Sequence, residues 1–163
     1  MAERRQPAFR NLLAYEISST ADALRRSAAM RMRREHDLSL AQVRALTLIE
    51  TMQPVRLRDV AADAGADKAQ VSRVVSSLVS RGYVTRRALA ADGRSAHLEL
   101  TEAGRTKVAA LVKTLQERDR VLRAALQPGE IQQLLSFLER IRQTAEQLAM
   151  DEERYANGHH PRN

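Results

Sequence analysis

The sequence predicts a mainly α-helical protein carrying one small β-hairpin. Three observations lead there. Apolar residues recur at helical spacing over most of the chain, as in Val71, Val74, Val75 and Leu78. Two strand-like runs, residues 83–89 and 96–100, flank Asp92-Gly93, a strong hairpin signal. Hydrophobic residues make up 44% of the chain but aromatics only 3%, so the core must be built from Leu, Val, Ile and Ala, which suits helix-on-helix packing.

Residues 1–7 are polar, end at Pro7 and are expected to form a loose arm. Phe9, Leu13, Ile17, Leu24 and Ala28 then mark a long helix reaching about His36. Its basic run (Arg25, Arg26, Arg31, Arg33, Arg34) reads as a solvated face in preference to a nucleic-acid contact. Ser39 and Gln42 have capping-box spacing and open a helix with Val43, Leu46 and Ile49 inward. Pro54 ends that helix, and Val55 and Arg56 are candidates for a short third strand beside the hairpin.

The central stretch organises the rest. Leu57, Val60 and Ala61 give a short helix its apolar side, and Gly65 and Ala66 turn the chain. A second helix runs from near Asp67 to about Arg81, with Asp67 and Gln70 again at capping-box spacing and Gly82 as its stop. Two short helices joined by a tight glycine-bearing turn form a helix-turn-helix. The hairpin that follows makes it a winged helix. In its second strand Ala96, Leu98 and Leu100 should face inward while Ser95, His97 and Glu99 face solvent.

Thr101 and Glu102 open another long helix, with Val108, Leu111, Val112, Leu115, Leu122 and Ala125 at helical spacing. Gln127-Pro128-Gly129 breaks the chain. A last helix carries Ile131, Leu134, Leu135, Leu138, Ile141, Ala145 and Leu148. From about residue 151 the chain is polar and expected to fray. These apolar stripes exceed what one small winged helix can bury, which predicts a homodimer interface from the first and last two helices. An intramolecular bundle is the alternative.

Basic residues lie where phosphate would be met. Lys68, Gln70, Ser72 and Arg73 fall on the non-apolar side of the second helix near its N-terminus, the end that attracts anions. Gln70, Ser72 and Arg73 are candidates for base edges, since Gln pairs with adenine and Arg with guanine, and Lys68 for phosphate. Arg86 and Arg87 lie on the first wing strand, and Arg94 at the tip suits a narrow minor groove. The net charge of +7 at pH 7 agrees with a nucleic-acid or other anionic partner.

The wing segment Asp92-Gly93-Arg94-Ser95-Ala96-His97-Leu98-Glu99-Leu100-Thr101 resembles the D-x-R-x5-L-T wing pattern of the MarR family. Glu102-Ala103-Gly104 after it and Leu78-Val79-Ser80-Arg81-Gly82 before it are similar to family features too. The resemblance spans residues from about 9 to 148. It implies a homodimeric winged-helix transcription regulator, usually a repressor released by a small ligand. It also implies that Arg94 enters the minor groove, with Asp92 as a wing-support residue that caps the turn and holds an arginine. A ligand pocket between the dimer helices and the reading module is implied as well. Matching positions there are Tyr15, Ser18, Ser19 and His36, with Arg44 placed to meet an acid group such as that of an aromatic acid. Each of these residue types in such a place is more often packing or surface than a ligand contact.

Other classes are disfavoured. The chain has no cysteine, which excludes disulfides and a thiol redox switch. No apolar run approaches the ~20 residues of a membrane span, and the basic N-terminus lacks a signal-peptide core, so a cytoplasmic location is expected. His36, His97, His159 and His160 lack metal-site spacing, and neither a catalytic motif nor a cofactor loop is present. The expected organisation is an arm and dimerisation helix (1–36), a winged helix-turn-helix binding double-stranded DNA (37–101), C-terminal dimerisation helices (102–150) and a flexible tail (151–163). A two-fold dimer predicts a pseudo-palindromic operator. A regulator without a ligand, or a helical protein-interaction module that does not use its wing on DNA, are the alternatives.

Overall fold

The computed structural model describes residues 8–88 and 96–157. It divides into two units, Met1–Lys113 and Thr114–Asn163. In the first, a 3-10 turn (Ala8–Asn11) precedes helix α1 (Leu13–His36), α2 (Leu40–Met52), strand β1 (Val55–Arg56), α3 (Leu57–Ala64), α4 (Lys68–Ser80), β2 (Val84–Ala88) and β3 (Ala96–Leu100). Helix α5 (Glu102–Arg123) crosses the division, and α6 (Pro128–Ala156) belongs to the second unit. No helix among the described residues is long and apolar enough to cross a membrane.

The helix boundaries follow local chemistry. Ser39 Oγ accepts from the Gln42 backbone N–H at 3.2 Å, and Gln42 Oε1 accepts from the Ser39 N–H at 2.8 Å, a complete capping box. The same glutamine reaches on to α4, donating from Nε2 to Ser77 Oγ at 3.0 Å. Ser39→Ala should therefore lower stability by about 1 kcal/mol. Chemical denaturation checks this, and an unchanged midpoint would show the cap to be dispensable.

Helices α3 and α4 end alike. Gly65 and Gly82 both take a left-handed conformation, φ 57° and 73°. The next N–H folds back on the helix, Ala66 to the Ala61 carbonyl at 3.2 Å and Tyr83 to the Leu78 carbonyl at 3.0 Å. This is the Schellman arrangement, which needs a residue free of the Cβ penalty at the turn.

Four details depart from the sequence reading. Helix α1 begins at Leu13 and not at Phe9, because Ala8–Asn11 are wound as a separate 3-10 turn. At α4 only half of the predicted capping box forms: Asp67 accepts from the Gln70 N–H at 3.2 Å, and the Gln70 side chain does not return the bond. His97 and Glu99, expected in solvent, are half-buried in the central strand. Helix α6 continues to Ala156 through the stretch expected to fray. Pairs one turn apart hold that end: Gln147 Nε2 donates to Asp151 at 2.9 Å, and Arg154 lies 3.6 Å from Asp151.

The sheet has the antiparallel order β1-β3-β2. Val55 and Arg56 do form the third strand, opposite Leu98 and His97, while β2 runs in register from Val84↔Leu100 to Ala88↔Ala96. Gln53 Oε1 accepts from the Leu100 N–H at 2.8 Å, which ties the α2 end to the sheet. Beneath lies an aliphatic core. Leu46, Ile49, Val60, Val75 and Leu78 are fully buried, with Leu98 from the sheet and Leu111 from α5. The Asp92-Gly93 turn lies outside the described residues.

In the second unit, α5 and α6 are separated by a short turn, and Gln127 with Glu130 caps α6. No residue of α6 is buried.

Candidate nucleic-acid interface

Helix α4 has two unlike sides. Val71, Val75 and Leu78 are buried. Ala69, Arg73, Ser76 and Ser80 are all exposed. Each of Ala69, Arg73 and Ser76 stands two residues before a buried one, and two residues turn a helix by about 200°. They form one outward stripe of small and polar side chains with a single guanidinium.

The wing strand reaches this stripe. Arg86 Nη2 donates to Ser76 Oγ at 2.9 Å, which lays the arginine against α4. Arg87 behaves differently. Its partner across the sheet is His97, whereas that of Arg86 is Leu98, so the two arginines point to opposite faces. Arg87 pairs with Glu99 at 3.3 Å. Strand alternation separates two residues that the sequence reading grouped together.

The other predicted DNA contacts are spread around α4. Lys68, Gln70 and Arg73 are exposed, and Ser72 is half-buried. The Asp67 carboxylate caps the helix start, so that end carries a negative charge of its own beside Lys68. Arg94 and Asp92 lie outside the described residues. Ala69 and Ser76 escaped the sequence reading, although the i, i+4, i+7 spacing of 69, 73 and 76 opposite the valine stripe was available to find them.

Two contacts position α4. Arg81, at its end, donates from Nη1 to the Asp37 carbonyl at 2.7 Å and from Nη2 to the Asp37 carboxylate at 3.0 Å. Asp37 is itself left-handed (φ 53°) at the end of α1. The Arg81 guanidinium also lies 5.5 Å from the Tyr83 ring centre. In the basic run of α1, Arg25, Arg26, Arg33 and Arg34 are exposed and Arg31 is half-buried. Arg25 pairs with Asp22, and Arg31 and Arg34 with Glu35 at 2.9 and 2.8 Å. Hydrogen bonding and charge from Arg25 hold the Asp22 carboxyl below its usual range.

A cavity of about 350 Å³ opens between α2, α3 and α4. Leu40, Ala45, Val60, Val71 and Val74 line it, and Arg25, Arg44 and Gln70 supply its polar side chains. Arg44 is at a wall of this cavity, donating from Nη2 to the Asp63 carbonyl at 3.1 Å. Gln70 serves this wall as well as the outer surface. Tyr15, Ser18 and Ser19 are exposed on α1 and do not line this cavity. Neither does His36, which is half-buried at the end of α1. Burial first, then the Lys107 charge, lowers its imidazole pKa, with Glu35 opposing and Arg31 adding to the shift. The imidazole is therefore a poor cation for an acid ligand near neutral pH.

The MarR family model matches residues 36–95, the helix-turn-helix and most of the wing. No curated protein gives a significant sequence match. Similar solved structures include a MarR/EmrR family transcriptional regulator from Acinetobacter sp. ADP1, with TM-score 0.74 and 20% identity over 86% of this chain and 99% of that one. The transcriptional repressor CouR bound to a 23-mer DNA duplex superposes with TM-score 0.77 and 23% identity, covering 86% of this chain and 99% of its own. Streptococcus pneumoniae FabT in complex with DNA gives 0.73 and 19%, covering 83% and 96%. At such identities the likeness is one of fold. The helix-turn-helix thus matches the MarR family model, and the chain shares along most of its length the winged helix-turn-helix fold of the MarR-type regulators it resembles.

Proposed function

We propose that this protein is a homodimeric, sequence-specific DNA-binding repressor that a small ligand releases. The family whose model it matches consists of transcriptional regulators and not enzymes. The observation that carries the reading is the outward stripe of α4, where small side chains at 69, 76 and 80 surround Arg73 and Arg86 is held alongside. A helix with small exposed residues can approach base edges closely, and one arginine among them supplies a bidentate donor for guanine. Gln70, Ser72 and Arg73 are the candidates for base edges. Lys68 and Arg86 suit phosphate, and Arg94 suits the minor groove at the wing tip, with Asp92 supporting it; Arg87, paired with Glu99 on the other face of the strand, is the weaker candidate. CouR and FabT, both similar in fold, were solved with DNA.

Dimerisation is supported by what the helices leave uncovered. In the first unit α1 exposes Leu13, Leu24 and Met30. In the second, Val121, Leu134, Leu135, Phe137, Leu138 and Leu148 are exposed. Apolar surface of this kind on a long helix marks a partner. A two-fold dimer would place its two α4 helices about 10 bp apart, or a multiple of that, on a pseudo-palindromic operator.

Duplexes selected from a random pool supply a ligand for the test. Binding should fall steeply as salt rises and should discriminate against scrambled duplex. Arg73→Ala should weaken binding to the selected duplex by about 1–3 kcal/mol and relax the preference at one position of each half-site. Unchanged affinity and preference in that variant would remove α4 from the interface. Light scattering that found only monomer would refute the dimer.

A further inference from the structure

Asp37 holds a backbone conformation that suits glycine better. It follows α1 with φ 53° and ψ 41°. Its N–H donates to the Arg33 carbonyl at 3.1 Å, and the Leu38 N–H to the Met32 carbonyl at 3.3 Å, the Schellman arrangement again. Met32 and Leu38, both fully buried, close the turn. After α3 and α4 the left-handed residue is a glycine. An aspartate in that place bears the Cβ penalty, so the turn itself gives no reason for the side chain.

That side chain receives Arg81. The guanidinium donates from Nη2 to the Asp37 carboxylate at 3.0 Å and from Nη1 to the Asp37 carbonyl at 2.7 Å, across 44 residues of sequence. One planar fork grips one residue at two points, which fixes direction as well as distance. Arg33 also approaches the carboxylate, at 3.5 Å from within α1. The Asp37 side chain is 72% exposed, and ion pairs in that setting add little stability. What the clasp supplies is geometry. Arg81 is itself seated over the Tyr83 ring, and Lys107 of α5 lies 5.5 Å from the centre of the same ring. One turn earlier on α4, Ser77 accepts from Gln42 of α2 at 3.0 Å. Both bonds hold the C-terminal half of α4 to the corner between α1 and α2.

We infer that the Asp37–Arg81 clasp is a positioning device that sets the separation at which the two α4 helices of a dimer meet DNA. The inference rests on the homodimeric regulator reading. Helix α1 carries exposed apolar residues of the proposed dimer surface, and α4 carries the outward stripe. The clasp joins the end of one to the end of the other, so the angle between them passes to both half-sites. One base pair inserted between half-sites moves them about 3.4 Å apart and turns one by about 36°. A rigid pair of reading helices rejects that displacement, and a loose pair tolerates it. Asp37 and Arg81 therefore select the spacing of the half-sites and leave the bases within each to Arg73 and its neighbours.

The test compares the wild type with Asp37→Gly, Asp37→Asn and Arg81→Ala on selected duplexes whose half-sites are kept and whose spacing is changed by one base pair either way. Glycine suits the left-handed turn, so Asp37→Gly should melt close to the wild-type temperature. The wild type should bind the altered spacings about tenfold more weakly than the selected one. Asp37→Gly should shrink that ratio about threefold, and Arg81→Ala, which loses both bonds, should shrink it further. Asp37→Asn keeps an acceptor oxygen and should retain most of the discrimination. Base preference within a half-site should stay as it is. The chain has no cysteine, so Ala29→Cys with Ala69→Cys places one spin label on α1 and one on α4. Without DNA, and with unlabelled chain in excess, their distance distribution should be narrow in the wild type and broader in Asp37→Gly and Arg81→Ala. Unchanged distances, or a spacing ratio equal to that of the wild type in both variants, would overturn the inference. So would a change of base preference in place of spacing. A wild type that binds no duplex selectively would refute the regulator reading instead, and the label distances would still judge the clasp.

Discussion

Replacing Leu78 by alanine is expected to lower the stability of the first unit by about 2–5 kcal/mol, toward the upper part of that range. Leu78 is fully buried, and its neighbours on the same stripe, Val71 and Val75, are buried with it. Val71 and Val75 are short and branched, so they cannot swing in to fill the space. Its backbone carbonyl also accepts the Tyr83 N–H that closes α4, and Tyr83 packs against the core beside it. The void therefore lies under the closing turn of the helix that presents Arg73. Thermal or chemical denaturation measures the loss. Leu78→Met, which nearly conserves volume, should cost less than about 1.5 kcal/mol. If alanine and methionine prove equally mild, the core at this point is not tightly packed.

Gly104→Ala is the second large effect, and helix propensity points the other way. Gly104 sits in the first turn of α5, where alanine would ordinarily be preferred by about 1 kcal/mol. Here a Cβ would meet the Tyr83 carbonyl oxygen far inside van der Waals contact and lie 3.3 Å from Leu100 Cβ. The oxygen cannot retreat, because it accepts the Thr101 N–H at 3.0 Å. Thr101 holds the same junction from its side chain: Oγ1 donates to the Gly82 carbonyl at 2.6 Å and accepts the Gly104 N–H at 3.0 Å. Overpacking against backbone should exceed the propensity gain and destabilise by about 1–3 kcal/mol or more. A variant that melts at or above the wild-type temperature would show that α5 can shift away from the β2 start. Gly129 gives the comparison, since a Cβ there meets nothing within 4 Å.

The Leu-Thr-Glu-Ala-Gly run after the wing thus has a physical reason that the chain alone did not reveal. As sequence it was part of a resemblance. In the folded protein Thr101 is both cap and clasp, and Gly104 is the space that lets the helix start against β2.

Much of the architecture was legible because its causes are local. The Ser39–Gln42 box, the glycines at 65 and 82, the break at Gln127-Pro128-Gly129 and the period of Val71, Val75 and Leu78 act within a few residues of themselves. From these followed the order of helices, the helix-turn-helix, the hairpin strands and even the short strand at Val55. What only the tertiary structure decided is which polar side chains share a face and which are already engaged. Arg86 and Arg87 are adjacent in the chain, but β-strand alternation sends one to Ser76 on α4 and the other to Glu99. Arg81 reaches the Asp37 turn 44 residues away. Arg44 and Gln70 meet at one cavity wall although α3 lies between them in sequence. Such pairings depend on how helices and strands pack, and packing brings together residues whose spacing in the chain carries no record of it.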